Sequence, residues 1–147
     1  MLVVLDSGPL GLLSNPTTLG EPRDIREWAF RLLDEGVNVV VPEIADYEVR
    51  RELIRADKQD GIRRLDELTH GLEYEPLGTS HFRRAAELWA EARNRGLPTG
   101  HDAALDGDVL LAAQALGLMV TDPDTVVVTT NPEHLVRFVR AVRWRDL

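Results

Sequence analysis

The sequence predicts an α/β fold: a three-layer αβα sandwich around a central, mostly parallel sheet. Two observations carry this. Short runs rich in valine, the wholly apolar Val3 to Leu5 with "VNVVVP" and Val126 to Thr129, are not interrupted by charge, as expected of strands covered on both faces. Between them lie stretches with apolar residues at helical spacing, and strands alternating with helices imply parallel crossovers.

Taken in order, Val3 to Leu5 is the first strand and stops at Asp6. "EPRDIREWAFRLLDEG" is a helix with the stripe Ile25, Trp28, Ala29, Leu32 and Leu33, ended by Gly36. "VNVVVP" is the second strand. "EIADYEVRRELIRAD" and "GIRRLDELTHGL" are helices, and "YEPL" is a brief strand. "TSHFRRAAELWAEARNRG" is a helix opened by Thr79 or Ser80. "LPTGHDAALDG" reads as a loop or a ragged helix start, followed by the apolar helix "DVLLAAQALG" that Gly117 stops. "LMVTDPDTVVVTTN" holds one or two strands, Val126 to Thr129 being the clearer. "PEHLVRFVRAV" is a helix with Pro132 at its start, and "RWRDL" closes the chain.

The length of 147 residues suits one domain over 1–147 with a real core. The absence of cysteine excludes disulfides and thiolate zinc sites and fits a reducing compartment. "MLVVLDS" lacks the basic region of a signal peptide, and no apolar run reaches a membrane span, so a cytoplasmic protein is expected. A net charge of −8 has the wrong sign for a nucleic-acid binder. Such a binder would need metal to neutralise some acids and its arginines gathered on one surface. All but one of the 17 basic residues are arginine, Lys58 being the exception, and arginine forks phosphate as lysine cannot.

Four polar positions fall at comparable places. Asp6 follows the first strand, Glu48 lies early in the helix after the second, Asp108 opens the apolar helix, and Asn131 follows the last strand beside Thr129 and Thr130. Each has a plain structural explanation. Asp6 can cap a turn, Glu48 can pair with Arg51 or Arg55, Asp108 can complement a helix dipole, and Asn131 before Pro132 is a common turn. Yet strand ends and the helices leaving them meet at one sheet edge, and three carboxylates there repel unless a cation joins them. Oxygen ligands without cysteine or paired histidine suit Mg²⁺ or Mn²⁺. Asp102, Asp106, Asp122 and Asp124 are competitors. Asp122 is the foremost, since "LMVTD" also reads as a strand with a terminal acid.

These stretches together resemble the PIN-domain nucleases of the VapC-like toxin type, along nearly the full length. "VVLDSGPLGLL" is similar to the opening motif and gives Asp6; "VPEIADYEVRREL" is similar to the second and gives Glu48, with Glu43 the alternative. "DGDVLLAAQAL" gives Asp108, and "VVVTTNPEHLVRFV" resembles the closing Thr-x-Asn or Thr-x-Asp motif, giving Thr129 and Asn131. Two departures stand out. Asn131 occupies a place where many relatives carry Asp, and "LMVTDPDT" is longer than the usual turn, which leaves Asp122 open as the fourth acid.

The resemblance implies a metal-dependent ribonuclease, the toxin of a toxin–antitoxin pair or a housekeeping enzyme. Asp6, Glu48 and Asp108 would hold Mg²⁺ or Mn²⁺, Asn131 and Thr129 would orient a ligand or water, and Asp106 would support them. Arg50, Arg51 and Arg55, following Glu48, would guide the RNA backbone. It also implies a small antitoxin partner and a homodimer, for which Trp28, Phe30, Trp89 and Trp144 are candidate contacts. The alternative is a PIN-like domain that binds RNA or a partner protein without cutting. Other phosphoryl chemistries lack their residues: position 8 is Gly where a haloacid-dehalogenase-like site needs Asp, and neither a P-loop nor a Gly-x-Ser-x-Gly elbow is present. His70, His81, His101 and His134 form no helical metal pair.

Overall fold

The computed structural model describes residues 1–96 and 102–147. Its five-stranded sheet has the order β3-β2-β1-β4-β5. Every pairing is parallel. The strands are β1 (Leu2–Leu5), β2 (Asn38–Pro42), β3 (Glu73–Glu75), β4 (Thr125–Thr129) and β5 (Ala141–Arg143). β1 is central: Leu2 lies opposite Asn38 on one side and Thr125 on the other, and Leu5 lies opposite Val128. Asp6, Glu43 and Thr130 therefore emerge at one edge.

Side chains alternate across the strands, so each valine-rich run feeds two cores. Val3, Leu5, Val39, Val41, Val126 and Val128 pack with α1 (Ser7–Ser14), α2 (Glu21–Asp34), α3 (Glu43–Arg55) and α4 (Gln59–Gly71). Leu2, Val4, Val40 and Val127 pack on the opposite face with α5 (Thr79–Asn94) and α6 (Asp102–Met119). This is the expected αβα sandwich. One buried amide spans it: Gln114 of α6 accepts from the Ile44 N–H at 3.3 Å and donates to the Glu75 carbonyl at 2.6 Å.

The segment after Asp6, given no element from the sequence, is the helix α1, started by the Asp6 carboxylate accepting the Ser7 N–H at 2.7 Å. Three expectations are corrected. Helix α6 begins at Asp102 rather than Asp108 and passes through Gly107 and Gly117 to Met119. Burial of Leu105, Val109, Leu111, Ala112 and Ala115 outweighs the roughly 1 kcal/mol each glycine costs a helix. No strand forms over "LMV": Leu118 and Met119 end α6, and Val120 is 82% exposed in the turn that follows.

Lastly, "PEHLVRFVRAV" makes only a 3-10 turn at Pro132–His134 before the chain enters β5. The Arg140 carbonyl accepts the Val127 N–H at 3.0 Å, so the open backbone of β4 captures a segment whose apolar spacing allows a helix. Of the stretch 97–107, expected as a loop or a ragged helix start, residues 97–101, His101 included, lie outside the described residues.

Candidate active site

The sheet edge collects the predicted residues from four elements. Asp6 closes β1 and caps α1. Its Oδ1 accepts the Ser7 N–H, and its Oδ2 accepts the Thr129 hydroxyl at 2.7 Å. Thr129, the last residue of β4, is buried, and its Oγ1 also accepts the Asn131 N–H at 3.2 Å. One hydroxyl thus fixes both the Asp6 carboxylate and the turn carrying Asn131. The Asn131 Oδ1 accepts the Glu133 N–H at 3.3 Å, capping the 3-10 turn.

Glu48 comes from the second turn of α3 and is half-buried. Burial first, then the charges of Asp6 and Asp108, push its pKa from 4.5 up to about 7, against the lowering effect of Arg51, whose Nη2 is 4.0 Å from Glu48 Oε2. Asp108 responds similarly: burial and then Asp6 raise it from 3.8 to about 6, while His134 and Arg137 lower it. Three carboxylates from β1, α3 and α6 therefore feel one another, and two are held well above their ordinary range.

Close backbone approach makes this possible. A Cβ on Gly107 would stand 3.1 Å from Glu48 Oε2, so α6 can lie against the α3 carboxylate because residue 107 has no side chain. A Cβ on Gly8 would stand 2.8 Å from the Thr130 side chain, so α1 can start beside the end of β4. Neither glycine, nor Arg137, stood out in the sequence. The only signal was that Gly107 sits immediately before Asp108.

The donor set suits a hard divalent cation: it is all oxygen, negatively charged and partly desolvated, and such an ion would relieve the strain on Glu48 and Asp108. Among the described residues, no three His, Cys, Asp or Glu side chains stand close enough to hold an ion as placed, so the cluster is electrostatic rather than a closed coordination shell.

The remaining candidates separate. Asp106 is exposed, and two residues along a helix it points away from the face of Asp108. Asp122 is corrected outright. It lies at the opposite end of the sheet, its Oδ2 3.8 Å from the N-terminal ammonium of Met1, because α6 continues through Met119 and the chain turns there before β4. It cannot complete the site. Glu43 accepts the Leu77 N–H at 2.9 Å and the Tyr74 hydroxyl at 3.2 Å, which ties down the β2–α3 junction.

Among the arginines, Arg50 is drawn to Asp46 at 3.0 Å and Asp66 at 2.7 Å, pinning α3 to α4. Arg51 and Arg55 instead line a groove of about 490 Å³ between α1 and α3, with Ser7, Gly8, Glu48 and Lys58. Trp28 and Trp144 are buried against each other, ring centroids 5.8 Å apart, whereas Phe30 and Trp89 are exposed.

A parallel α/β sandwich with acids gathered at the carboxyl edge of its strands is the architecture of a class of hydrolytic nucleases. A family model for the PIN domain matches residues 17–135, and the chain belongs to this family, whose members are generally nucleases. The matched span holds Glu48, Asp108, Thr129 and Asn131, and Asp6 precedes it. Sequence comparison with curated proteins gives no match.

Solved structures share the fold over nearly the whole of both chains. VapBC2 from Rickettsia felis, bound to a DNA fragment from their promoter, is 18% identical over 98% of this chain and 99% of that one, with a TM-score of 0.73. VapBC-1 from nontypeable Haemophilus influenzae is 18% identical over 99% of each chain, with a TM-score of 0.65. DNA-bound VapBC from Salmonella typhimurium is 23% identical over 98% of this chain and 99% of that one, with a TM-score of 0.63. Among the described residues no helix is long and apolar enough to cross a membrane.

Proposed function

We propose that the chain, as one PIN unit over residues 1–147, is a Mg²⁺- or Mn²⁺-dependent endoribonuclease. The observation carrying this reading is the meeting of Asp6, Glu48 and Asp108, with two of them raised by burial and by Asp6. These three would hold the ion. Bound there, a divalent cation would lower the pKa of a water and offset charge developing on the phosphoryl group. Thr129 keeps the Asp6 carboxylate turned toward its neighbours, and the Ser7 N–H holds its other oxygen. Asn131 and Thr129 orient the turn beside the reacting phosphate, and Asp106, pointing away, takes no part. Arg51 beside Glu48 and Arg137 beside Asp108 supply positive charge to an incoming phosphodiester. Water attack on phosphorus with loss of the 3′ oxygen gives a 5′-phosphate and a 3′-hydroxyl.

The solved relatives are VapBC complexes. We therefore extend the proposal to a cytoplasmic toxin that pairs with a small antitoxin and forms a homodimer, with Arg51 and Arg55 on the RNA path and Arg50 acting through the packing of α3. Purified protein should cut RNA with Mn²⁺ or Mg²⁺ and stop with EDTA. Unchanged activity in Asp6→Asn and Asp108→Asn would falsify the assignment. A second reading, RNA or partner binding without cleavage, is favoured by Asn131, whose carbonyl oxygen is engaged in capping Glu133. It requires RNA to bind while no divalent ion supports cutting.

A further inference from the structure

We propose that Tyr47 and Arg51 form a stacking platform for an unpaired RNA base lying beside Glu48. This rests on the ribonuclease reading above and adds to it a subsite for one base. Tyr47 is 57% exposed although it sits immediately before a half-buried acid of the site. The Arg51 guanidinium carbon lies 5.0 Å from the Tyr47 ring centroid, and Arg51 Nη2 lies 4.0 Å from Glu48 Oε2. Aromatic ring, cation and carboxylate are therefore contiguous. A ring that neighbours an arginine offers a base a flat apolar face and a phosphate a positive edge.

The surroundings favour nucleic acid. The groove beside Glu48 carries Arg51, Arg55 and Lys58, the chain's single lysine, interleaved with Glu48 and with Glu52, which pairs with Arg55 at 2.8 Å, so it holds one cation in excess in a protein whose net charge is −8. A second copy of the chain is a poorer occupant. A two-fold contact through Tyr47 would set two grooves with the same excess of positive charge against each other. A base inside a duplex is already stacked on both faces, so only a splayed base can use the ring without unstacking.

Mapping the cut in total RNA supplies a labelled RNA oligonucleotide carrying that position, and single abasic residues are then walked along it. With wild-type protein, one flanking position should raise KM about tenfold while kcat changes by less than about threefold, within the range that base–aromatic stacking supplies. Tyr47→Ala should raise KM about as much on intact RNA and become indifferent to the abasic residue, while Tyr47→Phe and Tyr47→Trp keep the wild-type pattern. The same abasic profile in Tyr47→Ala as in wild type overturns the proposal. So does a loss that accompanies a change in sedimentation from dimer to monomer, which assigns Tyr47 to a second copy. If the wild type cuts nothing, the nuclease reading fails on its own. Fluorescence anisotropy of the same RNAs in EDTA then decides the platform by the same wild-type and Tyr47→Ala comparison.

Discussion

Replacing Glu48 by Gln should make the metal-free protein more stable, although it removes a residue of the proposed site. The Glu48 carboxyl rises from 4.5 to about 7, so it binds its proton more tightly in the folded chain than in the unfolded one. A group shifted in this direction contributes its full stability below the unfolded value and loses it as pH rises through the folded one. At pH 8 the folded protein holds an ionised carboxylate that burial disfavours. Going from 4.5 to about 7 corresponds to about 3 kcal/mol at full weight, and partial solvent exposure cuts this to about half.

Glu48→Gln should therefore gain about 1.5 kcal/mol at pH 8, which is about 3–6 °C in Tm for a chain of this size, and under about 0.5 kcal/mol at pH 5. Urea or thermal unfolding in EDTA at the two pH values measures this. Mg²⁺ should then reverse the order at pH 8, stabilising wild type and leaving Glu48→Gln unmoved. Equal stability of the two proteins in EDTA at pH 8, or destabilisation of the variant there, would refute the claim that Glu48 is held ionised against its environment.

Three further outcomes follow from named contacts. Thr129→Val keeps the shape but removes the donor to Asp6 and the acceptor for the Asn131 N–H. It should cost about 1–3 kcal/mol in urea unfolding and lower kcat, with Thr129→Ser restoring most of both. Gly107→Ala puts a methyl 3.1 Å from Glu48 Oε2, so the carboxylate must shift by a few tenths of an ångström. Calorimetry with Mn²⁺ should show an affinity at least severalfold weaker, while unfolding changes by less than about 1 kcal/mol. Gln114→Leu strands the Ile44 N–H and the Glu75 carbonyl, and chemical denaturation should register a loss of about 2–4 kcal/mol.

The central strands could be read directly because both of their faces are buried. In β1, β2 and β4 no polar residue interrupts the valines, and that signal needs no tertiary knowledge. Helix α1 was hidden because "SGPLGLLS" holds two glycines and a proline; it forms through the Asp6 cap and the burial of Leu10 and Leu13. The 132–142 stretch misled because its apolar spacing fits a helix equally well, and the unpaired edge of β4 decides between the two. At the site, Asp6 was legible as a carboxylate ending an apolar run, Glu48 by its place in the helix after the second strand, and Asp108 by its place before an apolar stretch. Gly107, His134 and Arg137 were not, since what matters about them is proximity across the fold.

The pairing of Leu2 to Leu5 with Thr125 to Val128 has a consequence for synthesis of the chain. β1 occupies the middle of the sheet and cannot be closed on its second side until the chain has been made through β4. The hydroxyl that fixes Asp6 comes from Thr129, 123 residues later. A nascent chain stalled anywhere before that point has no assembled acid cluster, whatever helices it has already formed. Contacts this distant in sequence form late and slowly. On a ribosome Asp6 therefore stays without its Thr129 partner until β4 has been made, and the candidate site is assembled only when the sheet closes on that side.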